Sequence, residues 1–352
     1  MSLIKYDSNR IGTPDFLKGI AVFLMIQVHL MEFFAGQEIY DSLTGKISLF
    51  LGGPPAAPLF LAVMGYFIAR SKRESIYFIK RGALLFIGGI FLNIGLSFNL
   101  LLHIYNGESY ENAMHYIFGV DILLSAGMSM IFIALLKSLL NKHPLYPLAL
   151  SFAAVVLGSV LPLFGDGDYN VSSFVNAFFY GGFTWSYFPL FPWLAYPLLG
   201  YSFFTLKNNP PFFIRLNKHI RMLIVIIWLL FIIISRSYVF EITSNLRVYY
   251  HHDILFYIWT VTFLAGFTFF ASSVERYYGG NPVLIYLKWL GENVTAAYVF
   301  QWLIIGNITT EIYKTQNEIQ LVLWFFGILL IVTSLIMFWN KNKDSAKKLL
   351  LF

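Results

Sequence analysis

Ten apolar stretches of the chain are each about as long as a helix that crosses the hydrocarbon core of a bilayer, which takes ~20 residues. They are residues 16–36, 54–69, 82–102, 117–136, 145–164, 188–206, 220–234, 254–271, 283–306 and 319–339. Composition agrees, because 58% of the 352 residues are hydrophobic and only 12% are charged. A soluble domain carries about twice that share of charge. The pattern predicts an all-α polytopic membrane protein, one bundle of about ten transmembrane helices forming a single domain over residues 1–352. It excludes a disordered chain, a fibrous protein and a soluble nucleic-acid binder.

The basic residues predict how this bundle is oriented. If the N-terminus is cytoplasmic, only Lys46, Arg236, Arg247 and Lys314 of the 24 Lys and Arg residues fall in outer segments. Cytoplasmic segments of membrane proteins are enriched in Lys and Arg. The split therefore predicts that both termini are cytoplasmic, and an even number of spans agrees, because it places both termini on the same side.

The second apolar stretch is preceded by Gly52, Gly53, Pro54 and Pro55, a run that cannot start as a regular helix. Irregular backbone at membrane depth is tolerated where it lines a cavity or is packed within protein. The run therefore indicates a cavity wall near the outer side, with an ordinary re-entry turn as the alternative. Prolines in the stretch 188–206 predict a second kinked or broken span.

The first helix has the best set of ionisable residues within the membrane, where such residues are functional candidates by default. Lys18 and His29 are 11 residues apart, which is about three turns plus ~20°, so they share one face at ~16 Å along the axis. Glu32, one turn beyond His29, could orient the imidazole or raise its basicity. Asp15 precedes Lys18 by three residues and could pair with it.

Each of these residues also has a purely structural interpretation. His29 could bond to a neighbouring helix, and Lys18 could anchor the helix at the headgroups. Asp121 falls at the start of an outer helix, where a carboxylate favours the helix dipole. The basic residues between the second and third stretches could bind phosphates or serve only as a topology anchor. The chain has no Cys, and its histidines show no spacing that supports a metal site.

The first helix, read as R-I-G-T-P-D-F-L-K-G-I-A-V-F-L-M-I-Q-V-H, resembles the opening of the transmembrane acyltransferases. These include the acyltransferase-3 and the heparan-α-glucosaminide N-acetyltransferase-like proteins. Asp15, Lys18, Gly19 and His29 fill the family pattern, although Lys18 replaces the usual Arg. The second stretch is similar through Pro58, Phe60, Gly65 and Tyr66. Residues 188–200 and the run GENVTAAYVFQWLI resemble later family segments, with Gln301 where many relatives have a His.

The resemblance implies that acetyl-CoA, or a related acyl-CoA, binds from the cytoplasm and that its acyl group passes to an acceptor at the outer face, commonly a sugar. His29 would act as the general base on the acceptor, and a basic cytoplasmic rim would suit the CoA phosphates. The sequence does not distinguish direct transfer from transfer through an acetyl-histidine intermediate. The expected setting is the plasma membrane of a bacterium, with the lipid bilayer and a glycan or small-molecule acceptor as partners and no nucleic acid. The sequence leaves open whether the protein forms a homodimer.

We therefore expect an acyl-CoA-dependent O- or N-acyltransferase with acetyl-CoA as co-substrate and no metal. The candidate residues are His29, Glu32 and Asp121 for catalysis, Lys18, Arg70, Arg73 and Arg81 for the donor phosphates, and Gln301 and Trp193 for the acceptor. The alternative is a transporter or exporter of a small polar solute, in which the broken second span and the buried acids would form a midplane site. A non-catalytic membrane subunit is a third hypothesis.

Overall fold

The computed structural model describes residues 12–161, 171–180, 182–206 and 217–349, with side chains up to residue 342. Within these ranges the chain consists of helices and their connections, and the β-structure is one isolated bridge between Ala35 and Gln316. Several basic side chains that contribute to the predicted orientation lie outside the described part: Lys5, Arg10, Lys207, Arg215, Lys343, Lys347 and Lys348.

Eighteen helices are present in the described ranges. They are α1 (Gly12–Phe33), α2 (Gln37–Asp41), α3 (Leu43–Gly52), α4 (Ala57–Arg70), α5 (Ser75–Leu96), α6 (Phe98–Tyr105), α7 (Ala113–Ile117), α8 (Ile122–Leu140), α9 (Tyr146–Val160), α10 (Val171–Phe179), α11 (Leu190–Trp193), α12 (Ala195–Leu206), α13 (Lys218–Ser244), α14 (Leu246–Tyr250), α15 (Ile254–Tyr278), α16 (Pro282–Glu292), α17 (Val294–Ile312) and α18 (Glu318–Leu349).

All ten predicted stretches fall largely on helices, which confirms the all-α class. Seven helical segments in the described ranges are long and apolar enough to cross a membrane, judged by length and composition. They are Gly12–Phe33, Leu43–Arg70, Ser75–Leu96, Ile122–Leu140, Lys218–Ser244, Ile254–Tyr278 and Glu318–Asn342. The helices at Tyr146–Val160 and Leu190–Leu206 are shorter, and the stretch 283–306 is divided between α16 and α17. The count of ten and the cytoplasmic termini stay predictions.

Both predicted helix breaks are present. In the second stretch, α3 ends at Gly52 and α4 begins at Ala57, with a turn of irregular backbone between them. In the sixth, α11 ends at Trp193 and contains a non-helical residue, Phe191. The sequence analysis missed a third break, at Asn293, where α16 ends and α17 begins.

Small residues let the helices pack at backbone contact. A Cβ added to Gly19 would lie 1.8 Å from the Leu287 carbonyl oxygen, and one added to Gly291 would lie 1.9 Å from that of Asp15. Both positions therefore require glycine for α1 and α16 to meet. The α4–α12 contact is built in the same way at Gly65. Because lipid is as apolar as the helix surfaces, such close approach is a main source of helix association in membranes.

Hydrogen bonds join the chain before α11 to the start of α8. The chain between α9 and α11 contains the short helix α10 within its described residues. Its end is hydrogen-bonded to the residue before Asp121: the Val120 amide donates to the Trp185 carbonyl at 2.7 Å, and the Phe188 amide donates to the Val120 carbonyl at 2.8 Å. These bonds fix the start of α8, where Asp121 lies.

Candidate active site

A cavity of about 540 Å³ lies among α1, α5, α8, α14 and α17, closed on one side by the break between α3 and α4. We call it the His29 cavity. Its lining comprises Met25, Val28, His29, Glu32, Phe33, Leu49, Gly52, Gly53, Ala57, Asn93, Leu96, Ser97, Leu100, Glu111, His115, Tyr116, Gly119, Asp121, Ile122, Tyr187, Phe188, Thr243, Leu246, Tyr249, Tyr250, Tyr298, Trp302, Gly306, Thr309, Thr310 and Tyr313. The glycine–proline break thus lines a cavity, as one of the two interpretations of the sequence predicted.

One face of α1 supplies two ionisable groups, His29 and Glu32, to the wall of the cavity. Met25, Val28, His29 and Glu32 recur at helical spacing and all line the cavity. The ring of His29 lies against the Trp302 indole, with centroids 4.0 Å apart. His29 Nδ1 is buried and has no hydrogen-bond partner among the described residues. A buried nitrogen without a partner is costly, so it marks a place where a bound molecule could bond.

Asp121 faces the same cavity from the start of α8. It caps that helix, because its Oδ1 accepts from the Ile122 amide at 2.7 Å. Its other carboxylate oxygen accepts a short hydrogen bond from the Tyr298 hydroxyl of α17. The segment leading to it is held by Asn93, whose amide donates to the Gly119 carbonyl at 2.8 Å.

The structure therefore brings His29, Glu32 and Asp121 to one cavity, although they come from two distant parts of the chain. In the described residues no hydrogen bond joins either carboxylate to His29. The expected role of Glu32 and Asp121 as orienting groups is therefore not realised as direct contacts in this conformation. A partly buried imidazole with two carboxyl groups around the same space can take a proton from a bound molecule and balance the charge that results.

Aromatic and hydroxyl side chains also line the cavity. Tyr116, on α7, faces it together with Glu111. Burial and, to a lesser extent, the Glu111 carboxylate raise the pKa of Tyr116 to about 12. Its phenol therefore keeps its proton over the whole physiological range and can donate a hydrogen bond.

The four predicted donor-phosphate residues lie away from the His29 cavity. Lys18 Nζ contacts Asp15 Oδ1 at 2.7 Å, and its side chain is 12% exposed. The cavity ends on α1 at Met25, seven residues from Lys18 or about 10 Å of helix rise. The other three are exposed: Arg70 is the last residue of α4, Arg73 lies on the connection between α4 and α5, and Arg81 lies within α5.

That connection is nevertheless organised. Lys137 of α8 donates to the backbone carbonyls of Ser71 and Arg73, at 3.3 and 2.5 Å. Arg73 lies over the Tyr77 ring, and Arg81 donates to the Tyr77 hydroxyl at 3.3 Å. None of the three arginines forms an ion pair with a carboxylate in the described ranges.

The two predicted acceptor residues do not line the His29 cavity. Trp193 is fully buried behind its wall, and its Nε1 donates to the Tyr250 carbonyl at 2.8 Å. It supports Tyr249 and Tyr250, which do line the cavity. Gln301 is also fully buried on α17, and both polar atoms of its side chain lack a hydrogen-bond partner in the described part of the chain.

Sequence reasoning missed Tyr298, Trp302 and Asn93 as parts of the site. Tyr298 and Trp302 are four residues apart on α17 and flank Gln301 within the stretch GENVTAAYVFQWLI. Because residues four apart share a helix face while adjacent residues do not, the pair could have been identified as one aromatic face. Asn93 could be noted as a buried polar residue, but its contact with residues 117–119 depends on tertiary packing.

Comparison with known families gives one match. The sequence profile of the acyltransferase-3 family, described as an acyltransferase domain, matches residues 11–339. No curated protein and no solved structure matches the chain.

Proposed function

Because the chain belongs to the acyltransferase-3 family, we propose that it transfers an acetyl or other short acyl group from cytoplasmic acyl-CoA to a sugar or glycan at the outer face of a bacterial plasma membrane. Membership supports a membrane acyltransferase in general. The donor, the acceptor and the residue roles are our inference. The observation that carries it is His29, a partly buried imidazole with a buried, unpartnered Nδ1 at the wall of a cavity large enough for a sugar.

His29 acts as the general base in this proposal. It takes the proton of an acceptor hydroxyl while the hydroxyl oxygen forms a bond to the thioester carbonyl carbon. The carbon–sulfur bond then breaks, and His29 returns the proton to the CoA sulfur. The acceptor leaves as an ester that carries the acyl group. A base within hydrogen-bond reach of the reacting hydroxyl contributes about 10²–10⁴-fold to such a step.

Glu32 and Asp121 are electrostatic partners of His29 in this proposal. Both line the same cavity as the imidazole, so an ionised carboxylate there favours the imidazolium formed during the reaction. Tyr298 holds one Asp121 oxygen and thereby fixes the direction in which that carboxylate acts. It is a positioning residue in this account.

The connection between α4 and α5 fits the phosphates of the donor. Three arginines lie at or near it, Arg70 at the end of α4, Arg73 on the connection and Arg81 in α5. They are exposed and free of carboxylate partners within the described ranges, so their charge is available to an anion. Lys18 fits less well as a direct phosphate contact, because it is largely buried and paired with Asp15. We propose that the acyl arm follows α1 from this rim towards Met25, where the His29 cavity begins.

The test uses purified protein in sealed proteoliposomes, with ¹⁴C-acetyl-CoA on one side and an outer-envelope glycan fraction on the other. We expect CoA release and label transfer in the unchanged protein and a loss of at least 10²-fold in His29→Ala. His219→Ala is the matched control, because His219 is an exposed imidazole on α13 remote from the cavity lining. Normal transfer by His29→Ala would refute the assigned base, and equal losses in both variants would show a nonspecific effect.

A further inference from the structure

The His29 cavity is lined by acids and has no permanent positive charge. Its lining holds three carboxyl groups, those of Glu32, Glu111 and Asp121, and two imidazoles, but no Lys or Arg among the described residues. In the part of the chain that the structure describes, the wall therefore offers an incoming anion no guanidinium or ammonium partner.

Two basic residues of the predicted outer segments, Lys314 and Arg247, are also absent from the cavity lining. Lys314 donates to Gln37 Oε1 at 2.9 Å, and its Nζ lies over the rings of Tyr40 and Tyr313, 5.2 and 5.6 Å from their centroids. Arg247 is exposed on α14 and does not line the cavity, although its neighbour Leu246 does. Neither cation therefore contributes to the cavity lining.

The wall of the His29 cavity also presents a buried hydroxyl group without a hydrogen-bond partner among the described residues. Tyr249 is only 5% exposed, lines the cavity, and its hydroxyl has no hydrogen-bond partner in the described ranges. Its ring is fixed edge-on against Trp193, with centroids 5.6 Å apart. The rings of Tyr250 and Trp302 line the same cavity. Aromatic faces with hydroxyl and amide groups between them suit a molecule with apolar C–H faces and neutral hydroxyls.

We propose that the acceptor is a carbohydrate without negative charge, and that the His29 cavity excludes sugars bearing a carboxylate, sulfate or phosphate. This inference rests on the proposed function for its reference to an acceptor. A carboxylate inside the cavity would leave water for a wall that holds three carboxyl groups and, among the described residues, no Lys or Arg to pair with it, which costs affinity. A neutral hydroxyl in the same place would satisfy Tyr249 at no such cost.

The first test measures anion exclusion without acyl transfer, by collisional quenching of tryptophan fluorescence. The Trp302 contribution is obtained as the difference between the unchanged protein and Trp302→Phe, in neutral detergent at constant ionic strength. Acrylamide and iodide are the neutral and anionic probes. We expect the quenching constant of Trp302 for iodide to be at least tenfold below that for acrylamide. Glu111→Gln removes one carboxyl group from the wall. In this variant we expect the iodide quenching constant of Trp302 to rise towards the acrylamide constant.

Equal quenching by the two probes would overturn the inference, because the cavity would then admit anions freely. Failure of acrylamide to reach Trp302 would also overturn it, since the cavity could not then receive a small solute at all.

The second test offers acetyl-CoA with methyl β-glucoside or methyl β-glucuronide, which differ only in a CH₂OH or a carboxylate. Label transfer to the glucoside at least tenfold faster than to the glucuronide supports the inference, and the reverse order refutes it. If neither sugar accepts label, the quenching result still decides whether the cavity excludes anions. Failure of the proposed function would appear instead as a lack of transfer to every acceptor, the glycan fraction included.

Discussion

Replacing Gly19 by alanine should force apart α1 and α16, although the change adds only one methyl group. The new Cβ would lie 1.8 Å from the Leu287 carbonyl oxygen, whereas ordinary contact begins at 3.4 Å, so the two backbones must separate by about 1.6 Å. The obstacle is backbone, which cannot rotate away as a side chain can. Overpacking of this kind costs about 1–3 kcal/mol, and Gly19→Ala should therefore lower thermal stability clearly.

The measurement is the midpoint of thermal unfolding in detergent, followed by tryptophan fluorescence. Gly88→Ala is the matched control, because Gly88 also lies within an apolar helix and an added Cβ meets nothing within 4 Å. It should be neutral or stabilising by up to about 1 kcal/mol, since alanine favours a helix over glycine. Gly19→Ala should also reduce acyl transfer, because α1 carries His29. If the two variants were equally stable, the helix contact described here would be wrong.

Three further predictions follow from the site and its surroundings. Tyr298→Phe removes the donor to Asp121 and should cost about 1–3 kcal/mol in stability, measured by thermal unfolding; an unchanged midpoint would contradict the bond. His251 lies outside the membrane-spanning segments, and burial, with a smaller effect of Arg247, lowers its pKa to about 4. The unfolded chain therefore binds the proton more readily, so stability should fall as pH drops from about 6.5 to about 4. In His251→Gln the same titration should be flatter, and parallel curves would refute the shift. Arg81→Ala should raise KM for acetyl-CoA severalfold with kcat unchanged, and added salt should reduce the difference; a fall in kcat alone would contradict a binding role.

The sequence predicted features that depend on a single helix. Apolar length identified where helices form, and the Gly–Pro run identified the break between α3 and α4. The pairing of Asp15 with Lys18 and the shared face of His29 and Glu32 follow from 3.6 residues per turn, which fixes neighbours three or four apart. Sequence therefore determined the helical class and the candidate base.

Only the tertiary structure decided which helices meet and what faces the cavity. Asp121 and Tyr298 are 177 residues apart in sequence, and no periodicity could predict their hydrogen bond. Trp193 and Gln301 proved to be buried outside the cavity lining for the same reason. In a membrane protein the apolar pattern indicates where a helix forms but not which of its faces contacts lipid and which contacts other helices, because both surroundings are apolar. Which faces come together is decided by close backbone approach at small residues, and that information lies in pairs of distant positions rather than in any one stretch of chain.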